Sequence, residues 1–191
     1  MADGRPDPIR IDVGALVQRS VASLYAHLVT RPTGRAVRLA IETQLAEAGE
    51  PTVSLVDLTE VTILDFSCAD EVVAKLLQRF LASDRPRNAF FVFRGVQVRH
   101  RDPMQAVLER QGLVAVAQRD DGEFELLGPA TRGEHDAWSR VERAGRVART
   151  DFESHFDGSG LREGVAGILH RRLVFETSAG DLVALSRLVH H

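Results

Sequence analysis

The pattern of apolar and polar positions is clearest between residues 53 and 82. Residues 53–58 form an apolar run that predicts a buried strand. The apolar residues that follow recur at spacings of three and four, which predicts an amphipathic helix. These helical positions are Ala69, Val72, Val73, Leu76, Leu77, Phe80 and Leu81. The sequence therefore predicts a strand that leads into a helix, with Ser67 at the junction.

The rest of the chain divides into shorter periodic segments separated by turn residues. Alternation predicts an edge strand at 9–13, and four-residue spacing predicts helices within 17–28 and 33–48. The unbroken apolar run 89–93 is typical of a strand covered on both faces. A basic loop, 94–102, and a short helix, 104–110, follow. Strands at 113–117 and 123–127 are predicted to form a hairpin around an Asp-Gly turn.

Residues 129–133 are predicted to be a linker because glycine, proline and threonine cluster there. We expect a flexible N-terminus at 1–8, a first domain at 9–128 and a second at 134–191. Periodicity in the second predicts three helices, 134–145, 151–156 and 161–172, followed by strands 173–176 and 181–185. Three helices and a β-hairpin are the outline of a winged helix.

Composition narrows the class of protein. The chain has 191 residues, 44% of them hydrophobic, and a formal charge of −3, so no global field draws it toward nucleic acid or anionic lipid. It lacks the run of roughly 20 apolar residues that spans a bilayer, and we expect a cytoplasmic protein without membrane association. The single Cys68 excludes an intramolecular disulfide, and we expect it to be packed rather than redox-active.

Ser67 has two possible roles on chemical grounds. With Asp70 three residues later, it resembles an N-cap residue, whose hydroxyl accepts a hydrogen bond from a first-turn amide. A helix N-terminus also accommodates a phosphate, which makes Ser67 a candidate phosphorylation site. Asp65, Asp70 and Glu71 would repel that phosphate, so modification would change binding or local order. The residues alone leave both roles open.

Residues 55–77, LVDLTEVTILDFSCADEVVAKLL, resemble the core of the STAS superfamily, the domain of bacterial anti-sigma factor antagonists. They are more similar still to the STAS-like family of unknown function, through Asp65, Ser67, Ala69, Asp70 and Glu71. The resemblance covers roughly residues 9–128 and implies an α/β fold with a mixed sheet flanked by helices. It also implies that Ser67 occupies the position of the phosphorylated serine. Phe66 and Cys68 replace the family's first serine and its glycine.

The function implied by this resemblance is non-enzymatic partner binding by residues 65–75, weakened when Ser67 is phosphorylated. The partner would be a protein, such as an ATPase of the anti-sigma-factor kinase type. An arginine and a glycine also recur in the family where Arg31, Gly34 and Arg35 stand, and a basic loop after a strand suits a binding surface. Solvated surface arginine is the alternative. The predicted partner-binding residues are Asp65, Phe66, Ser67, Asp70, Glu71, Lys75, Arg31, Arg35, Arg99 and Arg101.

The C-terminal part resembles bacterial winged helix-turn-helix domains, which suggests a DNA-binding regulator as the alternative function. Residues 131–191 hold nine arginines and nine acidic residues, so charge does not mark a DNA-binding face. The DNA-contact candidates are Arg162, Arg171 and Arg172. A protein-contact or homodimerisation module remains open for this part.

An enzyme is not predicted. The histidines lack the spacing of a helical metal site, and the chain has no Gly-rich phosphate loop or nucleophile elbow. We expect no cofactor and no metal. Asp57, Asp65, Asp70 and Glu71 are interpreted as capping residues and a solvated acidic rim rather than a Mg²⁺ site.

Overall fold

The computed structural model describes residues 7–12 and 27–189, and a five-stranded sheet lies at its centre. In chain order its first seven strands are β1 (Asp7–Asp12), β2 (His27–Leu28), β3 (Thr52–Asp57), β4 (Ile63–Leu64), β5 (Ala89–Val96), β6 (Ala115–Arg119) and β7 (Phe124–Leu127). The sheet has the order β1-β3-β5-β6-β7, parallel except for β7. Strands β2 and β4 pair separately, in parallel. The α/β fold with a mixed sheet is confirmed.

Helices cover the first face of this sheet. They are α1 (Arg31–Glu47), α2 (Phe66–Ala69), a π-helical turn (Asp70–Lys75), α3 (Leu76–Leu81) and α4 (Val98–Gln111). The segments between 66 and 81 follow one another without a break, and we call them the central helix. Its predicted apolar positions are buried against the sheet, Leu81 only partly, together with Ile41 of α1 and Leu108 of α4. The helical periodicity is confirmed, whereas the π-helical turn was not predicted.

The C-terminal elements cover the second face. They are α5 (Arg132–Ala144), β8 (Arg146–Val147), a 3₁₀ turn (Arg149–Asp151), α6 (Phe152–His155), α7 (Ser159–His170), β9 (Val174–Glu176), β10 (Leu182–Ala184) and α8 (Ser186–Val189). Strands β9 and β10 form the predicted hairpin, and β8 joins it to give an antiparallel sheet of order β8-β10-β9. The predicted succession of helices and hairpin is therefore present.

The two parts of the chain share a hydrophobic core. Successive residues of β5 point to opposite faces: Phe91 and Phe93 pack under the first layer of helices, and Phe90 packs among the C-terminal elements. There its ring lies 5.5 Å from that of Phe175, edge to face, in the cluster that contains Trp138. The prediction of a strand covered on both faces is confirmed. The cover on the second face is residues 132–189, which were interpreted as a separate unit.

Several predicted boundaries need correction. Strand β1 begins at Asp7, inside the segment expected to be flexible, and Leu28 lies in a strand rather than a helix. The side chains of 9–12, and all of residues 13–26, where the rest of that helix was predicted, lie outside the described part. The expected linker overlaps α5, because Thr131 and Glu134 form a capping box that starts this helix at Arg132.

The predicted basic loop 94–102 is also shorter than expected. Strand β5 extends through Arg94 to Val96, and α4 begins at Val98, so Gln97 alone separates them. Reciprocal hydrogen bonds between Gln97 and His100 cap α4 there, and Pro103 falls inside the helix rather than at its start. Among the described helices, none is long and apolar enough to cross a membrane.

The shared core predicts that both parts of the chain unfold together. Phe90→Ala should lower the free energy of unfolding by about 3–5 kcal/mol, the usual cost of removing a buried aromatic ring. In urea titrations, the fluorescence of Trp138, the only tryptophan, should move with the far-UV circular dichroism. The exposed Phe66→Ala is the matched control and should change stability by less than about 0.5 kcal/mol. Two separate transitions, with Trp138 unaffected by Phe90→Ala, would contradict the shared core.

Candidate functional site

Asp65, not Ser67, caps the central helix. The backbone of Asp65 is extended, and its Oδ1 accepts a hydrogen bond from the amide of Cys68 at 2.8 Å. Ser67 is the second residue of the helix, and its hydroxyl donates to both carboxylate oxygens of Asp65 at 3.0 Å. The predicted cap at Ser67 is wrong because the residue two positions earlier already supplies the acceptor. Ser67 is left as a half-buried hydroxyl beside the cap.

Apolar side chains are exposed around this helix start. Phe66 is 58% exposed, Ile63 of β4 is 44% exposed, and Val98 at the start of α4 is 83% exposed. Both β4 and α2 contact α4, so the three residues belong to neighbouring elements. Exposed large apolar side chains are candidates for contact with another molecule. The helix start therefore presents an aromatic ring next to Ser67.

Asp70 is buried, with 5% of its surface exposed, although it was interpreted as part of a solvated rim. Arg31 of α1 reaches its Oδ2 at 2.7 Å, and Arg110 of α4 reaches its Oδ1 at 2.6 Å. Burial favours the neutral acid, but the hydrogen bond from Arg31 and the charge of Arg110 outweigh it and lower the pKa of Asp70. Asp70 is therefore an ionised carboxylate held between two helices.

Glu71 is buried more deeply, at 2% exposed, and has three cationic neighbours. Arg31 approaches its Oε1 at 3.0 Å, Arg38 donates from Nε to Oε2 at 3.2 Å, and Lys75 contacts Oε1 from the next turn. Burial again opposes ionisation, but the hydrogen bonds from Lys75, Arg38 and Arg31 lower the pKa of Glu71. The solvated-rim interpretation is wrong for Asp70 and Glu71, because cations distant in sequence neutralise both. We call Asp70, Glu71, Arg31, Arg38, Lys75 and Arg110 the ionic cluster.

Close packing between α1 and the central helix positions the ionic cluster. A Cβ atom on Gly34 would lie 2.9 Å from the Cα of Cys68, so only glycine allows this approach. Cys68 is buried at the contact, and its Sγ lies 2.9 Å from the carbonyl oxygen of Thr30. Burial raises the pKa of the Cys68 thiol to about 12. Cys68 is therefore a packed thiol.

A groove of about 540 Å³ runs between α1 and the π-helical turn. We call it the basic groove, because four cationic side chains and one carboxylate line it. Its lining is Arg31, Pro32, Arg35, Ala36, Arg38, Leu39, Glu71 and Lys75. Arg35 is exposed and makes no ion pair or hydrogen bond with another residue of the described ranges. The structure thus brings together Arg31, Arg35, Asp70, Glu71 and Lys75 of the predicted set.

Arg38 and Arg110 belong to the ionic cluster but were not among the predicted site residues. Arg38 follows Arg31 and Arg35 at helical spacing, and this periodicity was a usable signal. Arg110 lies 40 positions from Asp70, and nothing in the local pattern indicates their contact.

The predicted arginines of the 94–102 segment contact other residues than those of the ionic cluster. Arg101 pairs with Glu125 of β7, and Arg99 donates a long hydrogen bond, 3.5 Å, to the carbonyl oxygen of Val61. His100 holds the same carbonyl from Nε2 at 2.7 Å. Burial lowers the pKa of His100, so this side chain is neutral rather than part of a basic surface. Arg99 and His100 therefore anchor the loop that precedes β4.

Two of the three DNA-contact candidates face the central sheet. Arg171 donates to Glu134 Oε1 and to the carbonyl oxygen of Gly112, both at 2.7 Å. Arg172 donates to the carbonyl oxygen of Ala89 at 3.0 Å and lies 4.1 Å above the ring of Phe90. Burial lowers the pKa of Arg172 to about 10. Both arginines join the C-terminal part to the sheet.

Arg162 has a different environment from its two neighbours in the prediction. It is exposed and lines a groove of about 480 Å³ with Arg149, Thr150, Phe152, Glu153, Phe156 and Val165. Within the described ranges, no group of three or more histidine, cysteine or carboxylate side chains is placed to hold a metal ion.

Comparisons with protein families, curated proteins and solved structures find no match to this chain.

The ionic cluster predicts opposite behaviour for two arginines of α1. Arg38 contacts Glu71 and Glu42 and is largely buried, whereas Arg35 is exposed. Removing the partner of a buried charge costs about 3–5 kcal/mol; because Arg31 and Lys75 remain on Glu71, Arg38→Ala should cost about 2 kcal/mol. Arg35→Ala should stay within about 0.5 kcal/mol of wild type in urea unfolding. Equal effects of the two substitutions would show that the cluster does not stabilise the fold.

Proposed function

We propose that this protein is a non-enzymatic regulatory protein that binds a protein partner through residues 65–75. Phosphorylation of Ser67 weakens that binding. The observation that carries the proposal is the exposed ring of Phe66 beside the half-buried hydroxyl of Ser67 at the first turn of the central helix. An exposed aromatic ring on a well-anchored helix is the kind of residue that dominates the affinity of protein interfaces.

The helix start is held in place before any partner binds. Asp65 caps it, Gly34 allows α1 to pack against Cys68, and the ionic cluster fixes the following turn. A surface fixed in this way loses little conformational entropy on binding, which favours affinity. The segment therefore suits docking better than a loop of the same sequence.

A phosphate on Ser67 acts on this arrangement through charge. The hydroxyl lies 3.0 Å from both carboxylate oxygens of Asp65, so a group with nearly two negative charges repels the cap. Ser67 is also three and four residues before Asp70 and Glu71, the spacing of neighbours on one helix face. The phosphate therefore adds negative charge close in the chain to these two carboxylates. Both effects disturb the surface that carries Phe66.

The resemblance to anti-sigma factor antagonists supports a partner of the ATPase or kinase type. Such a partner both binds the helix start and phosphorylates Ser67. Its substrate, the hydroxyl, is half-buried but lies in the first helical turn, where local opening exposes it most readily. With a partner of this type, we propose that the protein is cytoplasmic.

The proposal predicts that Ser67→Asp loses partners that wild type and Ser67→Ala retain. The three proteins serve as baits in affinity capture from a lysate of the source cell, with mass spectrometry of bound proteins and of phosphate on Ser67. Ser83→Asp is the matched control, since it adds the same charge at an exposed position beyond the far end of the central helix. Phe66→Ala should lose the same partners as Ser67→Asp. Identical partners for all baits would refute both the docking surface and the switch.

DNA binding by the C-terminal part is the second candidate function. Its support is the β8-β10-β9 sheet beside α7, the arrangement of a winged helix, together with the exposed arginines Arg149 and Arg162 in one groove. Arg171 and Arg172 already have partners in the protein, so the proposed phosphate contacts shift to Arg149 and Arg162. The central sheet would then serve as the support or sensor for the DNA-binding part.

This second candidate predicts a salt-dependent gel shift with fragments of genomic DNA. The double substitution of Arg149→Ala and Arg162→Ala should weaken it and reduce the salt slope by about two, one for each phosphate contact. Arg35→Ala, on the opposite layer of the sheet, should leave the shift unchanged. Absence of a shift at low salt would exclude this function for the isolated protein.

A further inference from the structure

We infer that the basic groove binds an acidic amphipathic helix of the partner protein. The inference rests on the proposed function, because it names the chemistry of the partner segment that lies beside the exposed ring of Phe66. We call the helix start that carries this ring the Phe66 surface. It adds a second contact area, on α1 and the π-helical turn, to the one formed by the helix start.

Helix α1 presents two parallel stripes to the basic groove. Arg31, Arg35 and Arg38 follow one another at spacings of four and three residues, and so do Pro32, Ala36 and Leu39 one position later. Residues at these spacings lie on one helix face. The groove therefore has a cationic stripe beside an apolar one. A helix with carboxylates next to its apolar residues is complementary to this surface.

The apolar stripe is available for contact. Leu39 is 45% exposed, although the apolar positions on the opposite side of α1, Val37 and Ile41, are completely buried. An exposed leucine between arginines is an anchoring position for a partner helix, because its apolar side chain is more stable when removed from water. Helix-in-groove recognition commonly uses such anchors, spaced at three and four residues on the partner.

The positive charge of the groove exceeds what its own carboxylates neutralise. Glu71 is shared among Arg31, Arg38 and Lys75, and Asp70 and Glu42 neutralise part of their charge, while Arg35 has no carboxylate partner among residues 27–189. Arg31 and Lys75 are also close to half exposed, so their outer faces remain open to a second anion. Carboxylates on a partner helix extend this network outward.

A protein helix fits the groove better than a small phosphate compound. Three of the four cations are spread along α1 rather than converged on one point, and Arg31, Arg38 and Lys75 each already donate to Glu71. The part of α1 that lines the groove, residues 31–39, is about 13 Å long at 1.5 Å per residue. The described groove therefore offers a linear surface.

The chain itself does not supply the complementary segment from residues 13–26. This stretch, VGALVQRSVASLYA, contains no carboxylate and one arginine. Residues 13–26 therefore do not provide the carboxylates of an acidic helix for the groove.

The test uses a synthetic peptide of about 17 residues, matched to the length of α1, with leucines on one face and glutamates beside them. Its binding to the full chain is measured by fluorescence anisotropy at two salt concentrations. We expect binding that weakens with salt and becomes about tenfold or more weaker in Arg35→Glu, because like charges then face each other. Leu39→Gln should also weaken binding, whereas Arg132→Glu, the same charge change on exposed α5, should not.

Three results would overturn the inference. One is equal binding of a control peptide in which the same residues are scrambled so that no apolar face remains. Another is an unchanged affinity in Arg35→Glu. The third is occupation by something else: concentration-dependent dimerisation, or binding to phosphatidylserine vesicles, either one abolished by Arg35→Glu in the absence of peptide binding.

The same variants separate this inference from the proposed function. If lysate partners are lost with Ser67→Asp but retained by Arg35→Glu, the Phe66 surface is the docking site and the groove is not. If the peptide binds through Arg35 and Leu39 but Ser67→Asp captures the same proteins as wild type, the groove stands and the switch at Ser67 fails.

Discussion

Charge balance at two adjacent buried carboxylates determines how the helices on the first face of the sheet are arranged. Leaving either Asp70 or Glu71 without a cation would cost several kcal/mol in desolvation. The neutralising groups come from both sides, Arg31 from α1 and Arg110 from α4. If either helix shifted, a carboxylate would become exposed or lose a cationic partner. Both carboxylates lie in the π-helical turn, a conformation that is frequent at functional sites. The ionic cluster thus fixes the arrangement of these helices and also forms part of the candidate functional site.

The second constraint is that the central sheet is apolar on both sides. Phe90 and Val92 cannot face water, and the C-terminal helices bury them. Arg171 and Arg172 belong to this contact: Arg171 binds the carbonyl oxygen of Gly112 after α4, and Arg172 binds that of Ala89 at the start of β5. The C-terminal helices and hairpin have the outline of a winged helix, and they also cover the sheet. This packing leaves one side of α7 for other contacts.

Periodicity in the sequence predicts which face of an element is buried, but not what buries it. That is why residues 89–93 were correctly predicted as a doubly covered strand while their cover was taken for a separate unit. Asp70 and Glu71 occupy polar positions of the helical pattern, and their neutralising arginines lie up to 40 positions away, so the local pattern indicated solvent. At the helix start, Asp65 and Ser67 both suit a cap, and the backbone conformation decides between them. The phosphorylation of Ser67 and the partner stay predictions.

The single cysteine provides a way to observe the candidate site in motion. Cys68 is completely buried where α1 meets the central helix, and its pKa is raised, so a thiol reagent reacts only after these two helices separate. No other thiol in the chain competes for the reagent. The alkylation rate in native buffer therefore reports the opening free energy of this one contact, if closing is faster than reaction. A ligand in the basic groove would slow the labelling, and a phosphate on Ser67 would accelerate it.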